Sequence, residues 1–304
     1  MLAGDVTESQ KLPSEALGAE QLERSTEVLP RQTFTMLLRL TLTQPWLEGR
    51  EAELLDLFEL CEDNDEVNLL ADLIYRFDSM SQKRFDSEMK DLVSHMISDL
   101  SLNPDRDIII APEKSDYSDG SQSILWRAKP HLSRHEGWTT TNLISNLEVA
   151  VDHVKDGSTV VLLEEFVGTG KTAATAHRIF VESLNSRGIS ARVVYMILSC
   201  MRAGSEYLAR KGIEHFAKNL LSRGISDYYE GTQRDKALAL MARIESRLCD
   251  KAEDGGLKKV RLGFKKSEAL YYLDGGNTPN NVFPVFWWKW LSGSRRRQPL
   301  LDRR

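Results

Sequence analysis

Two neighbouring carboxylates followed closely by a glycine-rich turn are the residues of this chain best suited to chemistry. They lie in the segment Val160-Val161-Leu162-Leu163-Glu164-Glu165-Phe166-Val167-Gly168-Thr169-Gly170-Lys171-Thr172-Ala173. An apolar strand runs into Glu164 and Glu165, two apolar residues follow, and Gly168–Thr172 then opens a helix. The first turn of a helix leaves backbone N–H groups unpaired and gathers the positive end of the helix dipole, so it favours an anion. Glycines let the backbone curl around a phosphate without obstruction by Cβ. Thr169 and Thr172 add hydroxyl donors. Glu164 and Glu165, placed just ahead of the turn, supply acceptors for sugar hydroxyls. A phosphate with a diol a short distance away matches this layout, and a ribose 5-phosphate unit is such a ligand.

Two other readings of the same residues stand beside this one. Gly170-Lys171-Thr172 resembles the end of a P-loop, whose full pattern is GxxxxGK[ST]. Glu165 occupies the first glycine slot of that pattern, and two carboxylates beside a triphosphate cradle would repel it. The next strand candidate, Arg192–Leu198, ends without the acid that a P-loop protein places on magnesium. The plainest alternative is a strand-to-helix turn with two solvated glutamates.

The elements that must hold this segment are read from periodicity. Val160–Leu163 is continuously apolar, as in a sheet covered on both faces. Asp107–Ala111 and Arg192–Leu198 are similar, and a further strand falls near Ile213–Leu220. Helices are predicted over Ser121–Lys129 (ended by Pro130), Thr139–Val154, Lys171–Ser186, 203–211 and Lys236–Leu248. Strand and helix alternating at this spacing define an α/β fold, a parallel sheet with flanking helices and right-handed crossovers. Ahead of it, residues 33–100 carry a helical period, with Leu54, Leu57, Phe58, Leu69, Leu73, Ile74, Val93 and Met96 on apolar faces. Residues 1–30 are polar and acidic and read as a flexible leader. The organisation is thus 1–30 leader, 31–104 N-terminal helical region, and 105–304 sheet domain.

Composition sets the outer bounds. The 304 residues are 41% hydrophobic and 28% charged with a net charge of −5, which suits a core-forming protein and not a general nucleic-acid or membrane coat. The three cysteines are scattered and form no CxxC pair, as in a reducing cytoplasm. No apolar run approaches the ~18 residues of a membrane helix, and the acidic start is not a signal peptide.

The segment 160–173 resembles the 5-phosphoribosyl-1-pyrophosphate signature of type I phosphoribosyltransferases, in which a buried strand ends in two acids and a Thr-Gly-x-Thr loop grips the 5′-phosphate. Gly263-Phe264, Ser267, Ala269, Leu270, Thr278-Pro279-Asn280-Asn281 and Phe283-Pro284-Val285-Phe286-Trp287-Trp288 are similar to a divergent branch, the phosphoribosyltransferase-like effectors of bacterial anti-phage systems, retrons included. The resemblance covers roughly residues 105 to 304. It implies a phosphoribosyltransferase-like domain with a C-terminal hood and basic tail. It also implies that Glu164 and Glu165 hold the ribose hydroxyls and help place Mg²⁺, that Gly168, Thr169, Gly170, Lys171 and Thr172 bind phosphate, and that the ligand is phosphoribosyl pyrophosphate or a related nucleotide. The reaction implied is transfer or cleavage at ribose C1. A non-catalytic sensing or scaffold subunit is the other role, and a degenerate P-loop nucleotide-binding protein is the remaining alternative. The implied partners are a reverse transcriptase with its RNA–DNA hybrid, another defence protein, or a second copy of the chain. The metal is carried by the ligand, so no separate protein metal site is assigned. The sequence departs from the pattern at Glu165, where relatives usually carry Asp, and at Gly168, where purine-salvage enzymes often carry an acidic base. For a pyrophosphate loop the candidates are Lys114 and Ser118–Ser121, and for a flexible catalytic loop Arg134-His135-Glu136.

The remaining reactive residues have plainer readings. His131 and His135 lack a third zinc ligand and read as surface or loop histidines. Cys200 reads as a small buried residue. Trp287, Trp288 and Trp290 are core or a stacking wall over a base. Arg295-Arg296-Arg297 with Arg303 and Arg304 form a solvated basic end, with a nucleic-acid or partner contact as the alternative.

Overall fold

The computed structural model describes residues 31–112, 120–250, 256–293 and 295–303. The acidic leader, Lys114 and Ser118 lie outside the described residues. The chain divides into two compact units, residues 1–39 and 40–304. The elements are α1 (Arg31–Thr43), α2 (Glu51–Phe58), α3 (Asn64–Tyr75), β1 (Asp78–Met80), α4 (Gln82–Ser98), β2 (Ile108–Ile110), α5 (Gly120–Leu132), β3 (Leu143–Ile144), α6 (Leu147–Ala150), β4 (Thr159–Val167), α7 (Lys171–Ser186), β5 (Arg192–Met201), α8 (Arg202–Arg210), β6 (His215–Leu221), α9 (Gly231–Glu245) and β7 (Tyr271–Leu273).

Five strands form a sheet in the order β3-β2-β4-β5-β6, and every pairing is parallel. Val160 pairs with Ile108 on one side and Val193 on the other. One face packs on α6, α7 and α8, where Val160, Leu162, Tyr195 and Ile197 meet Leu147, Phe180, Leu184 and Leu208. The helices α4 and α5 pack on β5 and β4, with His95 of α4 stacked on Phe216 of β6 at 4.0 Å. Burial on both faces is why these strands read as unbroken apolar runs.

The strand order fixes where a ligand belongs. After β2 the chain steps outward to β3, then returns past β2 to build β4, β5 and β6 in the opposite direction. The carboxyl ends of β2 and β4 therefore flank the topological switch point, the crevice where open α/β sheets bind ligands. The turn from β4 to α7 sits there.

Three local expectations fail for tertiary reasons. Thr139–Val154 is not one helix: it is a 3₁₀ turn, the strand β3 and the short α6. Asn142 donates to the carbonyls of Pro104 (2.7 Å) and Asp107 (3.3 Å), which brings Leu143 beside Ile109 in the sheet. Pro130 lies inside α5 and does not end it. Arg134-His135-Glu136 lies just after α5 and before β3. Gly137 abuts Pro104 ahead of β2, so this segment occupies the sheet edge opposite the β4–α7 turn and is not a catalytic loop over it.

The helices α2–α4 and the chain after β6 interlock. β1 pairs in parallel with β7, Asp78 against Tyr271. Arg243 and Arg247 of the α9 region converge on the fully buried Glu66 of α3, which takes bonds of 2.8 and 3.0 Å from Arg247 and another from Arg243. Nor is the arginine-rich end uniformly solvated. Arg295 and Arg296 are exposed, but Arg297 is buried, donates to the carbonyls of Trp288 (2.8 Å) and Val285, and is lowered to about 10 by burial. Among the described residues no helix is long and apolar enough to cross a membrane.

Candidate functional site

β4 remains a strand through Val167, so only Gly168, Thr169 and Gly170 make the turn before α7 starts at Lys171. A P-loop needs its glycine-rich cradle to begin at position 165, which here lies within the strand. The turn is a short three-residue one, not the long cradle of a P-loop.

Steric demands fix the glycines of this turn. Gly170 is the N-cap of α7 and has φ +72°, a left-handed conformation that costs other residues about 1–2 kcal/mol. A Cβ there would lie 2.8 Å from the Gly204 carbonyl of α8. A Cβ on Gly204 would strike the Gly168 carbonyl, and one on Gly168 would fall on the Asn281 amide group. Gly204 and Asn281 are thus the walls that press the turn into shape. No side chain caps α7, so the N–H groups of its first turn stay available to an anion. Lys171 and Thr172 are exposed, and Thr169 is half-buried.

The two carboxylates diverge. Adjacent residues of a strand point to opposite faces, and both glutamates are half-buried near the end of β4. Glu164 lies near Tyr195, whose hydroxyl donates to the Ala173 carbonyl of α7 at 2.9 Å. Burial first, and then the charge of Glu164, push the Tyr195 phenol well above its ordinary value. Glu165 lies near the fully buried Tyr271, likewise raised by burial and then by the Glu165 charge. Glu164 is therefore on the side of α7 and its turn, and Glu165 is on the side of β7.

The Tyr271 ring stacks on Phe166 at 4.9 Å and 25°. Its hydroxyl lies beside the Ser199 hydroxyl, and both are buried together with Asp78 Oδ2. Arg84 bridges Asp78 and Glu88 beside them, and Asn219 of β6 donates to Glu88. The sequence pointed to none of these residues. Tyr271 and Asp78 meet only because β1 and β7, almost two hundred positions apart in the chain, pair with one another.

The Thr278–Asn281 turn is brought to the site. Asn281 Nδ2 donates to Ser267 Oγ at 3.0 Å, and Ser267 Oγ donates back to the Asn281 carbonyl at 2.9 Å. The loop before it carries Leu262, Lys265, Lys266 and Glu268 at left-handed φ of 49–57°. Glu268 restrains it by accepting from Ile225 N (2.9 Å), Ser226 N (2.7 Å) and Ser226 Oγ (2.5 Å). The buried Glu245 accepts from Leu262 N at 3.1 Å and is pushed up to about 8 by burial. Strain of this kind collects near functional sites.

Other candidates resolve plainly. Cys200 is buried, with its thiol pushed up to about 12 by desolvation, so it is no nucleophile. His131 is buried in α5 and paired with Asp86 at 3.0 Å, and so it is not a surface histidine.

An acid-tipped strand at the switch point of a parallel sheet, followed by a glycine turn and an uncapped helix, defines a phosphoribosyltransferase-like protein. The chain belongs to the PRTase-CE family, whose sequence model matches residues 46–303. The matched span takes in α2–α4 as well as the sheet domain. Comparison with curated proteins finds no match. Among solved structures the chain is similar to orotate phosphoribosyltransferase from Aeropyrum pernix, at 19% identity and TM-score 0.29, over 44% of this chain and 69% of that one. It is also similar to adenine phosphoribosyltransferase from Thermoanaerobacter pseudethanolicus, at 17% identity and TM-score 0.31, over 46% and 81%. A third similarity is to hypoxanthine phosphoribosyltransferase from Trypanosoma cruzi, at 12% identity and TM-score 0.31, over 50% and 82%.

Proposed function

We propose that the β4–α7 turn binds the 5-phosphate of phosphoribosyl pyrophosphate or a related nucleotide, and that the chain transfers or cleaves at ribose C1. One observation carries this reading: an uncapped helix start at the sheet's switch point, its turn walled by Gly204 and Asn281, directly follows Glu164 and Glu165. Gly168–Thr172 supply donors to the phosphate, and Glu164, on the same side, supplies an acceptor for a ribose hydroxyl. Glu165 stands across the strand, toward Tyr271.

Departure of pyrophosphate breaks the C1–O bond with its electron pair and leaves oxocarbenium-like charge on the ribose. An acceptor, water included, then forms the new bond to C1. Carboxylates near the ribose favour that charge. Mg²⁺ carried on the pyrophosphate would neutralise the leaving group. The donor set fits a ligand-borne ion, because Mg²⁺ usually uses only one or two carboxylates along with phosphates and water, and Glu164 supplies one on the side of the turn. Among the described residues no cluster of three or more His, Cys, Asp or Glu could hold a metal by itself.

We further infer a place in a bacterial anti-phage system in the cytoplasm, with a reverse transcriptase and its RNA–DNA hybrid, another defence protein or a second copy as partner; this part of the reading rests on the resemblance of Thr278–Asn281 and Phe283–Trp288 to that branch. A sensing subunit is the second reading. It is favoured by Gly168, which leaves no side chain to act as a base where purine-salvage enzymes carry one.

Calorimetric titration with phosphoribosyl pyrophosphate and Mg²⁺ tests the site. Saturable binding that Lys171→Ala and Glu164→Gln weaken about tenfold or more is expected. Binding indifferent to both would overturn the assignment. Release of pyrophosphate separates an enzyme from a sensor.

A further inference from the structure

Tyr195 of β5 is fully buried in the core between the sheet and α7. Its partner on the neighbouring strand is Leu162 of β4. Glu164, two residues further along β4, is the next side chain on that face. The Tyr195 hydroxyl donates to the Ala173 carbonyl at 2.9 Å. Ala173 is the third residue of α7, within the uncapped first turn. The N–H of the same peptide unit, on Ala174, donates to the Gly170 carbonyl at 2.9 Å. A peptide unit is planar and rigid. One such plane therefore links the Tyr195 hydroxyl to Gly170, the N-cap of α7, while Tyr195 itself lies beside Glu164. Burial first, and then the charge of Glu164, push the phenol well above its ordinary value, so the hydroxyl stays a donor.

Further along, α7 has other anchors. His177, one turn on, bonds to the Val193 backbone, and its ring lies 6.4 Å from that of Tyr195. Phe180 and Leu184 are buried in the core under the rest of the helix. Gly204 and Asn281 wall the turn ahead of it. The Tyr195 hydroxyl ties the first turn itself.

We propose that Tyr195 is a positioning residue, whose hydroxyl fixes the start of α7 relative to Glu164 so that the phosphate and the ribose diol of one ligand are met together. This rests on the reading of the β4–α7 turn as the phosphate site. A ligand that joins two groups gains from the linkage only when both subsites are held at its own span. Looser spacing leaves each group's own binding intact and forfeits that gain. A phosphate alone meets only the turn and is indifferent to the spacing.

The test is calorimetric titration of the full chain with ribose 5-phosphate and with inorganic phosphate, read as the ratio of the two affinities. The unaltered chain should bind ribose 5-phosphate about tenfold or more tightly than phosphate. Tyr195→Phe keeps the ring and removes one hydrogen bond. It should cut the ratio about fivefold, with affinity for inorganic phosphate unchanged. Glu164→Gln should lower the ratio in the unaltered chain and add little in the Tyr195→Phe background, because the two act on one distance. Phe180→Leu loosens α7 away from its first turn. It should lower the melting temperature and leave the ratio alone, which separates positioning from a general loss of stability. If the unaltered chain binds neither ligand, or binds both equally, the phosphate-site reading falls and the role of Tyr195 with it. If the unaltered chain prefers ribose 5-phosphate and Tyr195→Phe preserves that preference, or Phe180→Leu removes it to the same extent, the positioning role alone is overturned.

Discussion

The contact between Gly168 and Asn281 can be tested by a double-mutant cycle without any assumption about function. Gly168 does not have a left-handed φ, so Gly168→Ala adds no backbone strain. The new methyl instead falls on the Asn281 amide, nearer to Nδ2, Cγ and Oδ1 than van der Waals contact allows. Asn281 is only 8% exposed and is pinned by its 3.0 Å bond to Ser267. Either the turn moves or the amide leaves that bond. Overpacking of a tight site costs about 1–3 kcal/mol, and a lost hydrogen bond costs about 1 kcal/mol. Gly168→Ala alone should therefore destabilise by about 2–3 kcal/mol in urea unfolding. Asn281→Ala alone should cost about 1 kcal/mol, because Ser267 keeps its 2.9 Å bond to the Asn281 carbonyl. In the Asn281→Ala background the added methyl has room, so Gly168→Ala should be nearly neutral. The coupling between the two changes should be about 2 kcal/mol in the sense of rescue. Strict additivity would refute the reasoning, since it would mean that the Thr278–Asn281 turn does not press on the β4–α7 turn.

Gly170→Ala should cost about 2–4 kcal/mol, combining left-handed strain with the Gly204 contact, and thermal melting should show no rescue by Asn281→Ala. Arg247→Ala removes two bonds to the buried Glu66 and the 2.8 Å bond to the Leu60 carbonyl; chemical unfolding should report a loss of about 3 kcal/mol. Burial works to raise Glu66, but Arg247, the Glu62 N–H and Arg243 together outweigh it and hold the carboxyl below its ordinary 4.5; that contribution to stability is present above 4.5 and is lost as pH falls through the lowered value. Glu245 has the opposite sign. Its folded value of about 8 exceeds the ordinary 4.5, so the folded chain binds the extra proton between those limits. Stability from this group is present in full below 4.5 and declines toward pH 8, by at most about 1.4 kcal/mol per pH unit. Glu245→Gln should flatten that slope in a series of urea titrations, and an unchanged slope would count against the assignment.

The sequence was informative where structure is local. The apolar run Val160–Leu163, the acid pair and the glycine turn lie within fourteen consecutive residues, and buried strands and helix starts are written in neighbouring side chains. The strand near Ile213–Leu220 and the inert Cys200 were legible for the same reason. Thr139–Val154 misled because Leu143 and Leu147 satisfy a helical period equally well, and only the Asn142 bonds to the chain ahead of β2 decide for a strand. His131 and Arg297 misled because polar side chains are buried only when distant partners satisfy them.

By itself, then, the sequence determined that a parallel sheet would present a glycine turn and a helix start behind two acids, since those features depend on residues adjacent in the chain. Tertiary structure alone decided which residues the acids meet on the two faces of β4, Tyr195 for Glu164 and Tyr271 for Glu165. It also decided that Gly204 and Asn281 wall the turn, and that β1 pairs with β7. Such contacts join residues remote in sequence, and no spacing along the chain encodes which distant surfaces will be complementary once the core has packed.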